Sequence, residues 1–280
     1  MYSIRVIRLN VEQVYIENHN AQESLFCLLE NSKCNNTWII GIHGLFQDKC
    51  ESWFLLSKLA RMARELDVSV CRFDFRGSGD STGDLMDLSL RDFFEDGALI
   101  INYVSENYKP SKIILLGVGF GCLVATKLAI DAGINDIILI NPTFEPVFDY
   151  ELGLTESARF MLEQTGTLDL NRNAIVEEWL EKLHYSGSLY WNVLGSQISK
   201  RLLQEIKHAN LRDYFLTSEV CNWLVVLSVV NEQAIQTVSE LVKRSKNGRL
   251  CCIDSDPLFT HPKAQSEVVL KVREWLDVCP

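Results

Sequence analysis

The sequence predicts an α/β protein with a mostly parallel central sheet flanked by helices. Strand-like and helix-like segments alternate from residue 37 to residue 140, at spacings that suit right-handed β-α-β crossovers. Residues 113–116 are four consecutive large apolar residues followed by glycine, which is typical of a strand covered on both faces. A chain of 280 residues is also long enough to bury one large core.

The predicted elements begin with two antiparallel strands, at residues 2–9 and 24–30, joined by a polar loop at 18–23. Short apolar runs then indicate strands, and apolar residues at helical spacing indicate amphipathic helices. On this basis strands are predicted at 37–42, 68–73, 113–116 and 136–140, and helices at 53–66, 90–106 and 122–132.

The pattern changes between residue 143 and about residue 217, where the segments are helical and no strand is obvious. The chain then returns to alternation, and no linker or repeat interrupts it. We therefore expect one sheet domain, residues 1–142 and 218–280, with residues 143–217 inserted as a helical cap. The helices expected in the cap are 157–164, 173–183 and 196–208, and the sheet resumes with strands at 223–230 and 249–253 and helices at 234–246 and 263–277.

Composition excludes several classes of partner. The formal net charge of −10 and the pI near 5.1 argue against nucleic acid or an anionic membrane surface. Nine cysteines without a C-x-x-C pair favour a reducing compartment over a disulfide framework. The first ten residues lack a signal-peptide core, and no apolar run is long enough to span a membrane. We expect a cytoplasmic protein with no metal site and no cofactor.

Four motifs occur in a fixed order, each after a predicted strand: His43-Gly44, residues 74–83 (DFRGSGDSTG), residues 117–121 (GVGFG) and, late in the chain, His261. In this order they resemble the α/β-hydrolase superfamily, in particular its serine aminopeptidase and esterase-like members. The resemblance implies that residues 117–121 form the nucleophile elbow, a tight strand-to-helix turn. Its central residue here is Gly119, where a working hydrolase carries a reactive side chain.

The same resemblance places the other two members of a catalytic triad. The acid position falls on Asn231, a neutral amide that orients an imidazole badly. Glu232 is one residue further and substitutes only if the loop shifts. His261 matches the histidine position, as a residual general base or as a polar residue that lines the pocket.

The resemblance also implies an oxyanion hole, because its donors are backbone N–H groups that need no particular side chain. These donors would belong to Leu45 and Phe120, with His43 and Gly44 as the motif that precedes them. Ser78 lies on the loop after a strand, on the expected site side of the sheet. Its hydroxyl either stabilises that loop or contacts a ligand.

Three explanations for Gly119 stay open, of which we favour loss of the nucleophile through functional divergence. The others are a nucleophile located elsewhere or misaligned, and a laboratory substitution. Cys122 is the nearest thiol, but it follows by one helical turn and is expected to pack in the core.

A narrower resemblance concerns the predicted cap. Residues 184–188 (HYSGS), 195–202 and Leu211, together with 141–147 and 256–259, are similar to exosortase-A-system-associated hydrolase-like proteins. This resemblance implies a natural Gly119 and a role near a biosynthetic or sorting pathway.

Three functions follow as hypotheses. The first is a catalytically impaired hydrolase-fold protein that binds a small acyl-type or apolar ligand, or a partner protein, under its cap. The second is an active hydrolase or acyltransferase that uses His261 with water or a relocated nucleophile. The third is an interaction scaffold with a collapsed pocket.

Overall fold

The structure, a computed structural model, describes residues 11–18, 23–32, 36–142, 190–193, 196–217, 222–230, 232–242 and 247–278. Its strands are β1 Val11–Asn18, β2 Glu23–Glu30, β3 Thr37–Ile42, β4 Ser69–Phe73, β5 Lys112–Val118, β6 Asp136–Ile140, β7 Tyr190–Val193, β8 Ser196–Ser199, β9 Asn222–Ser228 and β10 Asn247–Ile253. Its α-helices are α1 Leu55–Glu65, α2 Leu90–Tyr108, α3 Gly121–Ala132, α4 Lys200–His208, α5 Leu211–Thr217, α6 Glu232–Val242 and α7 Pro262–Leu276.

Eight strands form one sheet in the order β1-β2-β4-β3-β5-β6-β9-β10. The pairs β1–β2 and β2–β4 are antiparallel, and all other neighbours are parallel. The carboxyl ends of β3, β5, β6, β9 and β10 therefore meet at one edge of the sheet. Ligands of open α/β sheets bind outside this edge.

Helices cover both faces of the sheet, which explains why its central strands are apolar throughout. One core contains buried residues of α2, α3 and α6 together with those of α4 and α5. The other core packs α1 and α7 against the opposite face. The fold is the predicted mostly parallel sheet with flanking helices. Within the described ranges, no helix is long and apolar enough to cross a membrane.

The predictions for the first strand and for the start of the first helix need correction. The strand that pairs with β2 is Val11–Asn18, whereas the strand expected at 2–9 lies outside the described residues. The first helix begins at Leu55 rather than at Trp53, because Trp53 and Phe54 have left-handed backbone angles, with φ of 55° and 62°.

The segment expected to be wholly helical contains a β-hairpin. Strands β7 and β8 pair antiparallel, and the helix expected from Ser196 begins at Lys200. The Ser199 hydroxyl accepts the Leu202 N–H and so caps α4 at this point. The helices predicted at 157–164 and 173–183 lie outside the described residues, and the boundaries of the cap stay a prediction.

Candidate active site

Residues 117–121 make the tight turn expected between β5 and α3. A Cβ on Gly117 would lie 2.5 Å from the Gly121 carbonyl oxygen. A Cβ on Gly121 would lie 2.6 Å from the His43 carbonyl oxygen and closer still to that of Ile42. Only glycine permits this approach of strand, helix and the loop after β3. The flanking glycines are thus required by packing.

The central residue of the elbow is under no such constraint. Gly119 has a φ of 54°, and no heavy atom lies within 4 Å of where its Cβ would stand. Its N–H donates to the Ile140 carbonyl at 2.9 Å, which ties the turn to the end of β6. The backbone is that of a strained elbow, but position 119 offers no atom that can attack a substrate.

The two expected oxyanion donors belong to the loop after β3 and to this turn. Leu45 follows the His43-Gly44 loop, and Phe120 precedes the first residue of α3. Among the described residues, neither backbone N–H has a hydrogen-bond acceptor. The contact of Gly121 with His43 brings the two loops together. One N–H group at the start of a helix and one from a neighbouring loop can together receive the oxygen of a carbonyl group.

His43 holds the loops in place and is not placed to act on a ligand. It is buried, its Nε2 accepts the Phe75 N–H at 3.1 Å, and its Nδ1 therefore donates to the Gly44 carbonyl at 2.8 Å. Its ring packs edge-to-face on Phe75. Burial lowers the pKa of the imidazole, so His43 stays neutral.

Glu51 is a buried carboxylate at this site that sequence reasoning missed. Its Oε2 accepts the Gly44 N–H at 2.6 Å, and its Oε1 accepts the Ser52 N–H at 3.0 Å. Burial raises its pKa to about 7. No local signal distinguishes Glu51 from nearby Asp48, because the difference between them arises only when the loop folds back on Gly44.

The loop after β4 is held by its own polar groups. Asp74 is buried and accepts hydrogen bonds from the Lys49 ammonium at 2.8 Å and the Asp80 N–H at 2.8 Å. The Ser81 hydroxyl donates to the Asp74 carbonyl at 2.6 Å. Ser78 is half-buried, and its N–H donates to the Phe75 carbonyl in a turn.

Arg76, two residues after Asp74, anchors the same loop to helix α2. Its Nε donates to the buried Asp96 at 2.7 Å. Its guanidinium also pairs with Asp92 and Glu23. Burial raises the pKa of Asp96 to about 6, although the Arg76 charge opposes this shift.

Among the described residues, no hydrogen bond connects the expected acid or histidine position to the elbow. His261 is exposed and caps α7, because its Nδ1 accepts the Lys263 N–H at 3.2 Å. No serine or cysteine among the described residues is hydrogen-bonded to His261. Glu232 is exposed at the first turn of α6, and Asn231 lies outside the described residues.

The loop before His261 is what reaches toward the elbow. Asn141, which directly follows β6, donates from its amide to the Pro257 carbonyl at 2.8 Å. Asp256 accepts the N–H and the hydroxyl of Thr260 and so closes the turn from which Pro257 projects. The loops after β9 and β10 also meet, because Ser228 Oγ donates to the Ser255 carbonyl.

Cys122 is sealed in the interior. The residue is completely buried, and its thiol donates to the Gly117 carbonyl at 3.2 Å. Burial raises its pKa well above the ordinary range, which keeps the thiol protonated. A protonated and inaccessible sulfur cannot replace the absent serine.

Comparisons with known proteins agree with this geometry. A sequence model described as the alpha/beta hydrolase family matches residues 39–270. An uncharacterized protein of Acanthamoeba polyphaga mimivirus is 41% identical over 70 residues, a match that covers 24% of this chain and 24% of that protein.

Solved structures share the fold at low identity. Est1E of Butyrivibrio proteoclasticus, solved with ferulic acid, has a TM-score of 0.66 at 17% identity and covers 94% of this chain and 97% of its own. The Pyrococcus furiosus esterase Pf2001 has a TM-score of 0.66 at 15% identity, with coverages of 96% and 91%. A hydrolase described as putative from Agrobacterium vitis has a TM-score of 0.65 at 16% identity, with coverages of 96% and 99%.

Proposed function

The chain belongs to the α/β-hydrolase family, and from this premise we propose that it is a catalytically impaired member that binds an acyl-type ligand. The ligand would place its carbonyl oxygen at the N–H groups of Leu45 and Phe120 and its apolar chain beneath the predicted cap. The observation that carries this proposal is Gly119. A triad that lacks its nucleophile loses several orders of magnitude in rate.

Apolar side chains at the same edge of the sheet support an apolar ligand. Val229, Val230 and Leu258 are exposed on the loops after β9 and β10. Strand β9 is next to β6 and β10 is next to β9, so their loops lie at the same edge of the sheet as the elbow. Apolar surface beside free N–H donors suits a molecule with a carbonyl head and a hydrocarbon tail.

The competing function is an active hydrolase or acyltransferase. The intact elbow backbone and the esterases among the solved structures of this fold favour it. It would need water activated by His261, or a nucleophile from elsewhere. The exposed, helix-capping imidazole and the sealed thiol of Cys122 count against it.

A fluorophosphonate probe and a panel of p-nitrophenyl esters separate the two functions. We expect no covalent labelling and no turnover above background, with an active serine esterase as the positive control. Calorimetry with octanamide should nevertheless detect binding. Labelling that disappears in His261→Ala would establish the active enzyme and overturn the proposal.

Location and pathway are part of the same proposal. A cytoplasmic protein agrees with the six cysteines of the described chain that are free. The similarity to exosortase-associated proteins suggests a role beside a biosynthetic or sorting pathway. Much of that similarity falls on residues outside the described ranges.

A further inference from the structure

Glu51 has a backbone conformation that is almost restricted to glycine. Its φ and ψ are 62° and 168°, and Trp53 and Phe54, close behind it, also have positive φ. Backbone strain of this kind persists only where the surrounding structure enforces it, and it is concentrated at functional sites. The strained turn directs Glu51 into the protein, while Trp53 and Phe54 are exposed by 48% and 64%.

The carboxylate that this strain buries turns back onto the start of its own loop, next to Leu45. It binds the Gly44 N–H at 2.6 Å, one residue before Leu45. A Cβ on Gly44 would lie 3.4 Å from Oε2 of Glu51 and 3.5 Å from the Val118 carbonyl oxygen. Glu51 therefore lies beside both the loop after β3 and the elbow.

No cation neutralises this carboxylate among the described residues. The charged group that acts on it is Asp48, from the same loop, which raises its pKa further, whereas hydrogen bonds from Ser52 and Gly44 lower its pKa. The nearest lysine in sequence, Lys49, is engaged by Asp74 and Asp80. Since burial raises the pKa of Glu51 to about 7, its charge changes close to neutral pH.

We infer that Glu51 is a specificity-determining residue that selects uncharged acyl compounds, such as amides and esters, over carboxylates. This inference rests on the proposed function, because it requires an acyl ligand at Leu45 and Phe120. An ionised Glu51 repels an anion in a poorly solvated corner much more strongly than it would in water. A carbonyl group carries no net charge and avoids this repulsion.

The selection against carboxylate ligands should become stronger as the pH rises. A carboxylate ligand binds well only when Glu51 is protonated, so its binding takes up a proton above the pKa of Glu51. Affinity for a carboxylate should fall as the pH rises through about 7, while affinity for the matching amide should not change.

Octanoate and octanamide test this inference, because they share one chain and differ in charge. Calorimetry on the wild-type protein between about pH 6 and about pH 8.5 should show a roughly tenfold loss of octanoate affinity, with octanamide constant. If neither compound binds, the proposed function is overturned, and this inference with it. If both bind with a ratio that does not change with pH, the inference alone is overturned.

The variant Glu51→Gln tests whether Glu51 causes the pH dependence of octanoate affinity. The amide keeps one acceptor for the Gly44 N–H but has no charge, so octanoate affinity should become independent of pH. The matched control is Glu95→Gln, because Glu95 is an exposed glutamate that pairs with Arg91 on α2. The control should keep the wild-type pH profile. An unchanged pH profile in Glu51→Gln would overturn the inference, and the wild-type titration decides the question if that variant does not fold.

Discussion

Gly119 keeps the backbone geometry of a nucleophile elbow but has no side chain that can react. No heavy atom lies within 4 Å of where its Cβ would stand, so a serine side chain fits the elbow without a clash. Its φ of 54° nevertheless disfavours any L-residue. Working elbows tolerate this strain because it exposes the nucleophile, whereas glycine avoids the strain altogether.

Gly119→Ser should therefore fold, with a loss of about 1 kcal/mol in the free energy of unfolding. It should restore little esterase activity by itself, because Asn231 leaves a histidine poorly oriented. Gly119→Ser combined with Asn231→Asp should give more activity. Turnover of p-nitrophenyl acetate measures the activity, and urea denaturation measures the stability. A fast enzyme from the single change would show that Asn231 is not the acid position.

The exposure of His261 adds a second reason for low activity in these variants. Its Nδ1 is occupied by the Lys263 N–H. If the double variant also stays inactive while it folds normally, His261 is not the histidine of a catalytic triad.

At the scale of elements, the elbow is a three-way contact between β5, α3 and the loop after β3. The Gly121 backbone approaches the carbonyl groups of Ile42 and His43 so closely that no Cβ fits. The same contact brings the oxyanion loop beside the N-terminus of α3. Strand–helix packing and the candidate carbonyl site are therefore one structural feature.

Gly121→Ala should lower the free energy of unfolding by about 3 kcal/mol or more, because backbone must move to admit the methyl group. The matched control is Gly133→Ala at the end of α3, where φ is 66° but nothing lies within 4 Å of the added Cβ. The control should cost only about 1 kcal/mol. Urea denaturation of both variants measures the difference, and equal losses would contradict the close packing at Gly121.

At the scale of the whole molecule, buried carboxyl groups affect stability as the pH changes. Burial raises the pKa of Glu51 from 4.5 to about 7 and that of Asp96 from 3.8 to about 6. For each group, at a pH between its unfolded and its folded pKa, the folded protein binds more protons than the unfolded chain. The contribution of both groups to stability is therefore greatest at low pH and declines as the pH rises.

We expect the free energy of unfolding to decrease between about pH 5 and about pH 8, by up to about 3 kcal/mol from Glu51 alone. Glu51→Gln should remove most of this pH dependence, and the Asp96 contribution should remain. Urea denaturation at the two pH values tests the expectation. A stability that rises with pH to the same extent in both proteins would show that Glu51 is not protonated in the folded state.

The amino-acid sequence was sufficient to predict the sheet, the order of its alternating elements, the elbow and the absence of a hydroxyl at Gly119. These features depend on local periodicity and on glycine spacing, and both patterns involve residues that are close together in the sequence. The first strand and the hairpin before α4 escaped prediction, because β1 at the edge of the sheet is half polar and β7 and β8 have only four residues each.

The arrangement of the site around the elbow became evident only in the folded protein. Folding buried Glu51 against Gly44, gave the N–H groups of Leu45 and Phe120 no acceptor among the described residues, and turned His261 outward as a helix cap. Each outcome depends on contacts between residues that are distant along the chain. Burial and hydrogen-bond partners come from those contacts, and they set the charge state and access of each group.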